Sequence, residues 1–171
     1  DANAAKVAVL CYEGLLMKIN FPLLALAIGA FAIGTTEFSP MGFLSEIAQD
    51  FNISIPRAGM LISAYALGVM LAAPLMTLWL SRYPKRQSLI LLMAIFSIGN
   101  ILAMLAPSYL GLMGARIITS LNHGAFFGIG SVVAASVVPK DKQASAVAMM
   151  FMGLTIANIG GVPLATWVGQ H

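Results

Sequence analysis

The stretch that decides the fold is an uncharged run, a short basic turn and a second uncharged run in direct succession. Residues 58–81 read AGMLISAYALGVMLAAPLMTLWLS, the turn 82–86 reads RYPKR, and residues 87–115 contain no charged residue. An apolar stretch of about 18 residues or more predicts a helix that crosses a lipid bilayer. Two such stretches around a short basic turn therefore predict two antiparallel membrane helices.

The same pattern extends outward in both directions along the chain. Further uncharged stretches cover residues 19–36, 117–139 and 143–171, and Pro107-Ser108 interrupts the stretch 87–115. Since proline and serine favour a turn, we expect one helix to end before this pair and another to begin after it. The sequence thus predicts an all-α membrane protein with five transmembrane helices, at about 21–44, 57–80, 87–106, 109–138 and 142–168.

Composition excludes several other classes of protein. Of the 171 residues, 60% are hydrophobic and 9% are charged, whereas soluble domains carry about 25% charged residues. A formal charge of +3 is too small for a nucleic-acid surface, so we predict no nucleic-acid partner. Cys11 is the single cysteine, and no phosphate-binding loop, HExxH motif or nucleophile elbow occurs. We therefore expect no metal, no cofactor and no enzymatic activity.

Basic residues are distributed unequally between the two sides of the predicted bundle. One side would carry seven of them and the other side only Arg57. Because basic loops stay in the cytoplasm, this asymmetry predicts a cytoplasmic N-terminus. The seven residues are Lys6, Lys18, Arg82, Lys85, Arg86, Lys140 and Lys142.

The two ends of the chain do not follow the membrane pattern. Residues 1–16 contain too short and too broken an apolar run for a signal peptide, so we interpret them as an upstream or linker segment without a fold. No closing feature follows the fifth predicted helix. We therefore expect the chain to be a fragment of a larger protein.

Two charged residues fall within predicted membrane helices, where ionisable groups are costly and often functional. Glu37 lies about 9 Å below the outer end of the first helix, and Arg116 lies about 10 Å below the same surface in the fourth helix. Charges at one depth could neutralise each other's burial cost. From the residues alone, a functional role and a purely structural role of this pair are equally favoured.

Further polar residues lie near this depth. Ser120 and His123 share a helix face with Arg116, and Asn122 is adjacent, which predicts a polar stripe facing a cavity or a packed interior. His123 could contact a substrate or proton, or could be a hydrogen-bonded packing residue. Asn100 and Asn158 are weaker candidates for the cavity lining, because amides commonly join neighbouring membrane helices.

Small and flexible residues predict close packing and bending. Gly68–Ala72 and Gly124–Gly128 are small-xxx-small motifs that let helices approach closely. The fifth predicted helix carries Gly160, Gly161 and Pro163, which favour a bend. We expect most of the eleven methionines to pack in the core or against lipid. An alternative is that some of them form an adaptable lining for varied substrates.

Four blocks of sequence carry a family resemblance. They are GTTEFSPMGFL at 34–44, AGMLISAYALG at 58–68, HGAFFGIG at 123–130 and GLTIANIGGVP at 153–163. With the basic turn and Arg116, they resemble the N-terminal half of a major facilitator superfamily transporter. The drug:proton antiporter branch, and within it the arabinose-efflux-permease type of bacterial inner-membrane exporter, is the nearest resemblance, over about residues 17–170.

This resemblance implies a fold of twelve helices in two six-helix bundles, with alternating access around a central cavity. Residues 17–171 would then be a partial N-terminal transmembrane bundle that supplies helices 1–5, and the missing C-terminal half of the transporter would be the partner of this chain. Helices 1 and 4 line the cavity in that fold, and an acidic residue of helix 1 takes part in proton and substrate coupling in related antiporters. Glu37 and Arg116 match these positions.

The resemblance also assigns Arg82, Lys85 and Arg86 to a cytoplasmic gating turn. Thr77, Ser81 and Pro84 stand where the superfamily usually has Gly, Asp and Gly, so the Asp of the usual gating charge pair is replaced. In the fifth helix Ala157-Asn158 replaces the usual Gly-Pro before the glycine pair.

The leading hypothesis is a secondary transporter of the bacterial inner membrane that exports small organic molecules, sugars or drugs, in exchange for protons. In this hypothesis, protonation of Glu37 releases Arg116 and favours one face of the cycle. A facilitator or importer of the same superfamily remains an alternative, and so does a non-transporting membrane module.

Overall fold

The computed structural model describes residues 20–170, which are helical over most of their length. Five helical segments, each 20 residues or longer, are apolar enough to cross a membrane, as the sequence predicts. The helices are Phe21–Gly42 (α1), Leu44–Asp50 (α2), Ile55–Leu80 (α3), Lys85–Met104 (α4), Tyr109–Ser136 (α5), Gln143–Ile156 (α6) and Val162–Gln170 (α7). The predicted all-α membrane fold is thus confirmed. The predictions for residues 1–16 and for Lys6, Cys11 and Lys18 lie outside the described residues.

Polar caps and prolines set where the long helices begin. The Asn20 side chain accepts a hydrogen bond from the Leu23 amide at 3.4 Å, and Ser108 accepts one from Gly111 at 3.2 Å. Such caps satisfy main-chain donors that have no partner in the first helical turn. Pro56 lies in the first turn of α3, where its missing N–H costs nothing. α3 therefore starts at Ile55, slightly before the predicted boundary at residue 57.

The connection between the first two membrane helices contains a helix that the sequence analysis missed. α1 ends at Gly42 rather than near residue 44, and the short helix α2 follows after Phe43. Asn52 then takes a positive φ of 49°, a conformation that asparagine tolerates better than most residues. The sequence of α2, LSEIAQD, is too short to produce a distinctive helical pattern.

The fifth membrane segment, residues 143–170, is not a regular helix throughout. A 3₁₀ turn at Lys140–Lys142 precedes it, and a π-helical turn at Ala157–Gly161 joins α6 to α7. We call residues 143–170 the fifth span. The π turn coincides with the glycine pair at which the sequence predicts a bend, and π turns interrupt helices at such places.

Helix α5 lies at the centre of the bundle, with α3 and α4 packed against it, while α1 packs mainly on the fifth span. Small residues allow these approaches: Gly124 lies against Ala73, and Gly68 lies against Ser120, so one glycine of each small-xxx-small motif lies at the contact between α3 and α5. One apolar cluster joins all five segments. Its buried members are Leu23, Leu26, Ala30, Ile33, Leu80, Leu92, Phe96, Ala125, Phe126, Phe127, Ala134, Ala146 and Met150.

The bundle has two chemically different ends. The basic end carries Arg82, Lys85, Arg86, Lys140 and Lys142 with one acidic residue, Asp141, and the opposite, acidic end carries Glu46 and Asp50 with one basic residue, Arg57. Hydrogen bonds tie the chain together at both ends, from the Asn20 amide to the Val137 carbonyl at 3.2 Å and from the Gln170 amide to the Glu46 carboxylate at 2.9 Å. Hydrogen bonds from its own main chain, from the Ser45 hydroxyl and from the Gln170 amide hold the pKa of Glu46 below its usual value.

Candidate functional site

A polar cluster lies between α1, α3 and α5, surrounded by apolar helices. Its centre is Arg116, whose side chain is 5% exposed. The guanidinium donates from Nη1 to the Thr36 carbonyl at 2.8 Å and from Nη2 to the Glu37 carbonyl at 3.3 Å. Its carbon Cζ lies 4.4 Å from the centroid of the Tyr65 ring, a cation–π contact. Arg116 is thus fixed by the main chain of α1 and by an aromatic face of α3.

The Thr36 carbonyl is available to Arg116 because of a proline one turn later. In a regular helix this carbonyl would accept a hydrogen bond from the N–H of residue 40. Residue 40 is Pro40, which lies inside α1 and has no N–H. An unpaired carbonyl in a membrane interior is costly, so the Arg116 donor fills the position that Pro40 leaves open.

The Glu37 carboxylate contacts a different residue. Its Oε2 lies 3.6 Å from Nδ1 of His123, and among residues 20–170 this is the one contact at ion-pair distance. The sequence predicts a pairing of the Glu37 and Arg116 charges. The structure brings Arg116 to the main chain of Glu37 and places the carboxylate beside His123 instead. The reason is the open Thr36 carbonyl, which holds the guanidinium on the backbone.

Tyr65 extends this arrangement into a connected set of polar groups. Its hydroxyl lies 3.1 Å from the same Nδ1 of His123, and its ring lies under Arg116. Tyr65 is 2% exposed, whereas the side chains of His123 and Glu37 are 16% and 23% exposed. A fixed cation is therefore deeply buried, while the acid and the imidazole beside it are accessible. Carboxyl and imidazole groups are the side chains most often used for proton transfer, and here both are accessible.

The other predicted cavity residues are divided between this cluster and its surroundings. Ser120 is buried next to Gly68, and its hydroxyl donates to the Ile117 carbonyl at 2.6 Å. Asn122 is fully buried, and neither atom of its amide has a partner among the described residues. Ser120 and Asn122 therefore do not join Glu37 and His123 by hydrogen bonds.

Asn100 and Asn158 lie on two other helices. The Asn100 amide donates to the Phe96 carbonyl at 2.8 Å, and its oxygen accepts from Thr36 at 3.4 Å. It therefore joins α4 to α1 next to the Arg116 site. Asn158 lies exposed in the π turn and donates to the Leu154 carbonyl of the preceding helix at 3.1 Å.

The residues of the predicted gating turn are exposed at the basic end of the described bundle and form no hydrogen bond or ion pair with the polar cluster. They are Arg82, Lys85 and Arg86. In the part of the chain that the structure describes, none of the three has a carboxylate at ion-pair distance. Ser81, at the position where the superfamily usually has Asp, donates its hydroxyl to the Leu78 carbonyl at 2.7 Å.

Sequence reasoning missed three contributors to the site, namely Tyr65, Thr36 and Pro40. Tyr65 could have been noticed as a hydroxyl-bearing ring in the middle of an otherwise apolar stretch. Pro40 indicates that the carbonyl four residues earlier lacks a helical partner. No sequence signal identifies which donor fills that position, because it comes from another helix.

A second feature is an apolar groove between α1 and the fifth span, towards the basic end. Its volume is about 760 Å³, and methionines line part of it, consistent with the soft lining left open by the sequence. Asn20 and Lys142 are polar residues at its border. The lining residues are Asn20, Leu23, Leu24, Ala27, Ile28, Phe31, Val138, Lys142, Met149, Met152, Gly153 and Ile156.

Comparison with known proteins agrees with this architecture. The chain is 73% identical over 154 residues to the inner membrane transport protein YdhP of Escherichia coli K12. It is 45% identical over 149 residues to the putative transporter AraJ of the same strain, and 33% identical over 148 residues to a probable sugar efflux transporter of Pasteurella multocida. These alignments cover 90%, 87% and 86% of the chain, respectively.

The chain spans about 40% of the length of these relatives, with 40%, 38% and 37% of each covered. The family model described as Major Facilitator Superfamily matches residues 26–171, which is most of the chain and includes all five membrane segments except the start of α1. This multi-pass membrane protein therefore belongs to the major facilitator superfamily of transporters.

Proposed function

We propose that this chain is part of a proton-coupled exporter of small organic molecules. The observation that carries the proposal is the environment of Glu37. Within the described membrane helices it is the one carboxylate, and it lies beside His123 and close to the buried Arg116. A partly accessible acid within a membrane helix is a functional candidate, since its burial has to be compensated.

The coupling step follows from the contacts of the carboxylate. When Glu37 is ionised, it is attracted to Arg116 and can accept a hydrogen bond from His123. Protonation removes the negative charge, and the carboxyl group can then donate. Arg116 stays on the Thr36 carbonyl in both states and provides a constant positive charge. Binding of the proton therefore changes the contact between Glu37 of α1 and His123 of α5. In this proposal, that change is coupled to the switch between the inward-open and outward-open states.

The substrate class is inferred from the groove and from the relatives. The groove between α1 and the fifth span combines apolar side chains with Asn20 and Lys142 at its border. Concave sites of this composition suit a ligand with an apolar body and a few polar groups. One relative is named as a probable sugar efflux transporter, which supports outward transport.

The proposal also includes the orientation of the bundle in the membrane and the partner that completes it. The basic end, with Arg82, Lys85, Arg86, Lys140 and Lys142, faces the cytoplasm of a bacterial inner membrane, in line with the positive-inside rule. The five described membrane segments act together with a C-terminal half that completes the transporter. The chain covers only 40% of the length of the relative YdhP, which supports the presence of this C-terminal half.

Replacing Glu37 by Gln in the complete transporter tests the proposal. Gln keeps the shape of the side chain and cannot exchange a proton, so we expect substrate efflux driven by a pH gradient to fall at least about tenfold in proteoliposomes. Exchange of labelled for unlabelled substrate without a gradient should persist. Asp50→Asn is the matched control, because Asp50 is exposed at the acidic end. Unchanged gradient-driven efflux by Glu37→Gln would remove Glu37 from the mechanism.

A facilitator or importer is the second candidate, and the anchoring of Arg116 on the main chain of α1 favours it. In that case Arg116 would only replace a missing helical hydrogen bond, and Glu37 would have no coupling role. Substrate uptake that ignores an imposed pH gradient in the unmodified protein would support this candidate over the exporter.

A further inference from the structure

A small cavity lies where α3 ends and α4 begins, at the basic end and outside the Glu37 site. Its volume is about 250 Å³, and its lining residues are Trp79, Leu80, Tyr83, Gln87, Ser88 and Leu91. Leu80 and Ser88 are buried, and the Ser88 hydroxyl donates to the carbonyls of Leu80 and Pro84 at 3.2 and 3.3 Å. These contacts join the two helices and give the cavity a fixed inner wall.

The rim of the cavity is aromatic and polar. Trp79 and Tyr83 are about half exposed and meet edge to face, with ring centroids 5.9 Å apart. Tryptophan and tyrosine prefer the level of the lipid headgroups. Within residues 20–170, the Trp79 indole N–H, the Tyr83 hydroxyl and the Gln87 amide form no hydrogen bond with another residue. Three donors are thus available to an external acceptor.

The turn around this cavity carries an uncompensated positive charge. Arg82 and Arg86 directly precede Tyr83 and Gln87, and Lys85 lies between them. All three are exposed, and no carboxylate among the described residues lies at ion-pair distance from them. Basic residues at the end of a membrane helix attract anionic lipids, and each of them strengthens the attraction.

Exposed apolar side chains continue from the cavity into the membrane. Leu71 and Leu75 lie eight and four residues before Trp79 on α3, and they are 62% and 67% exposed. On α4, Ile98 is 55% exposed and follows Leu91 by seven residues, which places both on one face. From the basic end inward, basic, aromatic and apolar groups therefore follow each other in the same order as the headgroup, interfacial region and acyl chains of a lipid.

We propose that this cavity binds the phosphate headgroup of an anionic phospholipid, of which phosphatidylglycerol is the simplest example. The phosphate lies against the donors of Trp79, Tyr83 and Gln87 and is neutralised by Arg82, Lys85 and Arg86. The acyl chains lie along the exposed leucines of α3. This site is separate from the transport site and does not depend on which way the protein faces in the membrane.

Native mass spectrometry of the purified protein tests the proposal. The protein is released from mixed micelles that contain phosphatidylglycerol and phosphatidylcholine with identical acyl chains in equal amounts. We expect the complex with one phosphatidylglycerol to exceed the phosphatidylcholine complex by at least about fivefold, because each basic residue adds about this factor at a charged surface. Equal amounts of the two complexes would overturn the proposal.

Two matched variants locate the site. The triple variant Arg82→Gln, Lys85→Gln, Arg86→Gln should reduce the preference to near unity, whereas Lys140→Gln, on the other basic turn, should leave it unchanged. If the triple variant does not fold, Tyr83→Leu with Gln87→Leu replaces it and should reduce the preference at least about twofold. The assignment would be overturned if the triple variant kept the preference for phosphatidylglycerol, or if the variant of the other basic turn lost as much of it.

Competition with inorganic phosphate separates a lipid site from a site for free anions. Inorganic phosphate at equal concentration should not displace the lipid, and displacement would identify a free-anion site instead.

Discussion

Arg116 and Pro40 act together although they lie on different helices. Pro40 removes the donor that would pair with the Thr36 carbonyl, and Arg116 donates to that carbonyl at 2.8 Å. The arginine is therefore a structural replacement for a main-chain hydrogen bond as well as a positive charge. Glu37 remains free to contact His123 through its carboxylate. The Thr36 carbonyl thus serves the structural contact with Arg116, and the carboxylate of the neighbouring Glu37 is left for the proton exchange that we propose.

A double-mutant cycle measures this relation. Arg116→Leu alone leaves the Thr36 carbonyl unpaired, so we expect the free energy of unfolding to fall by about 2–4 kcal/mol. In a Pro40→Ala background, residue 40 gains an N–H that can pair with this carbonyl, and the cost of Arg116→Leu should be smaller by about 1–2 kcal/mol. Unfolding by denaturing detergent in mixed micelles provides both values.

Pro74 provides the control for this cycle, since it is also a proline inside a membrane helix. The effects of Pro74→Ala and Arg116→Leu should add, because no hydrogen bond connects these positions. Equal additivity in both cycles would contradict the assigned role of Pro40.

At this scale, sequence predicts the polar residues better than their contacts. Glu37, Arg116 and His123 stand out because each is costly in an apolar helix. Their pairing depends on which main-chain acceptor is open and on which helix face reaches it. Tyr65 was missed because a single tyrosine resembles ordinary apolar packing, and its position under Arg116 emerges only from the packing of α3 on α5.

At the scale of elements, the contact between α1 and the fifth span depends on glycine. A Cβ atom at Gly153 would overlap the Ala27 carbonyl oxygen and lie 3.1 Å from the Phe31 nitrogen. Both are main-chain atoms of α1, which cannot move aside like a side chain. By contrast, a Cβ at Gly160, in the π turn, would have no other atom within 4 Å.

This difference predicts opposite outcomes for two similar substitutions. Gly153→Ala should separate α1 from α6 and lower the free energy of unfolding by about 1–3 kcal/mol or more. Gly160→Ala should change it by less than about 1 kcal/mol, since alanine there meets open space. The same detergent titration gives both free energies of unfolding. Equal effects of the two substitutions would show that the close approach of α1 and α6 does not determine the cost of a side chain at residue 153.

Charge and hydropathy predict the long helices well, because a bilayer demands about 20 apolar residues and expels charge to the loops. Short elements escape this logic. α2 has seven residues, and its polar sequence reads like any connecting loop. The π turn at Ala157–Gly161 was predicted as a bend, since glycines weaken a helix, but its type depends on how α1 packs beside it.

At the scale of the whole molecule, the distribution of charge predicts how the bundle faces in its membrane. The basic end should be cytoplasmic. In a Cys11→Ser background, a cysteine introduced by Ser81→Cys should react with a membrane-impermeant maleimide only after the cells are opened. One introduced by Ser45→Cys, near the acidic end, should react in intact cells. Both positions are exposed. The reverse labelling pattern would refute the orientation.

The packing of α1 against the fifth span has a consequence for how the protein is made. Among the described helices, α1 leaves the ribosome first and the fifth span leaves it last, so α1 enters the membrane long before its main partner exists. During this interval lipid can cover the apolar face around Ala27 and Phe31, whereas the Thr36 carbonyl lacks its Arg116 donor. Until synthesis reaches Arg116, this carbonyl therefore needs another donor, which water or the insertion machinery can supply.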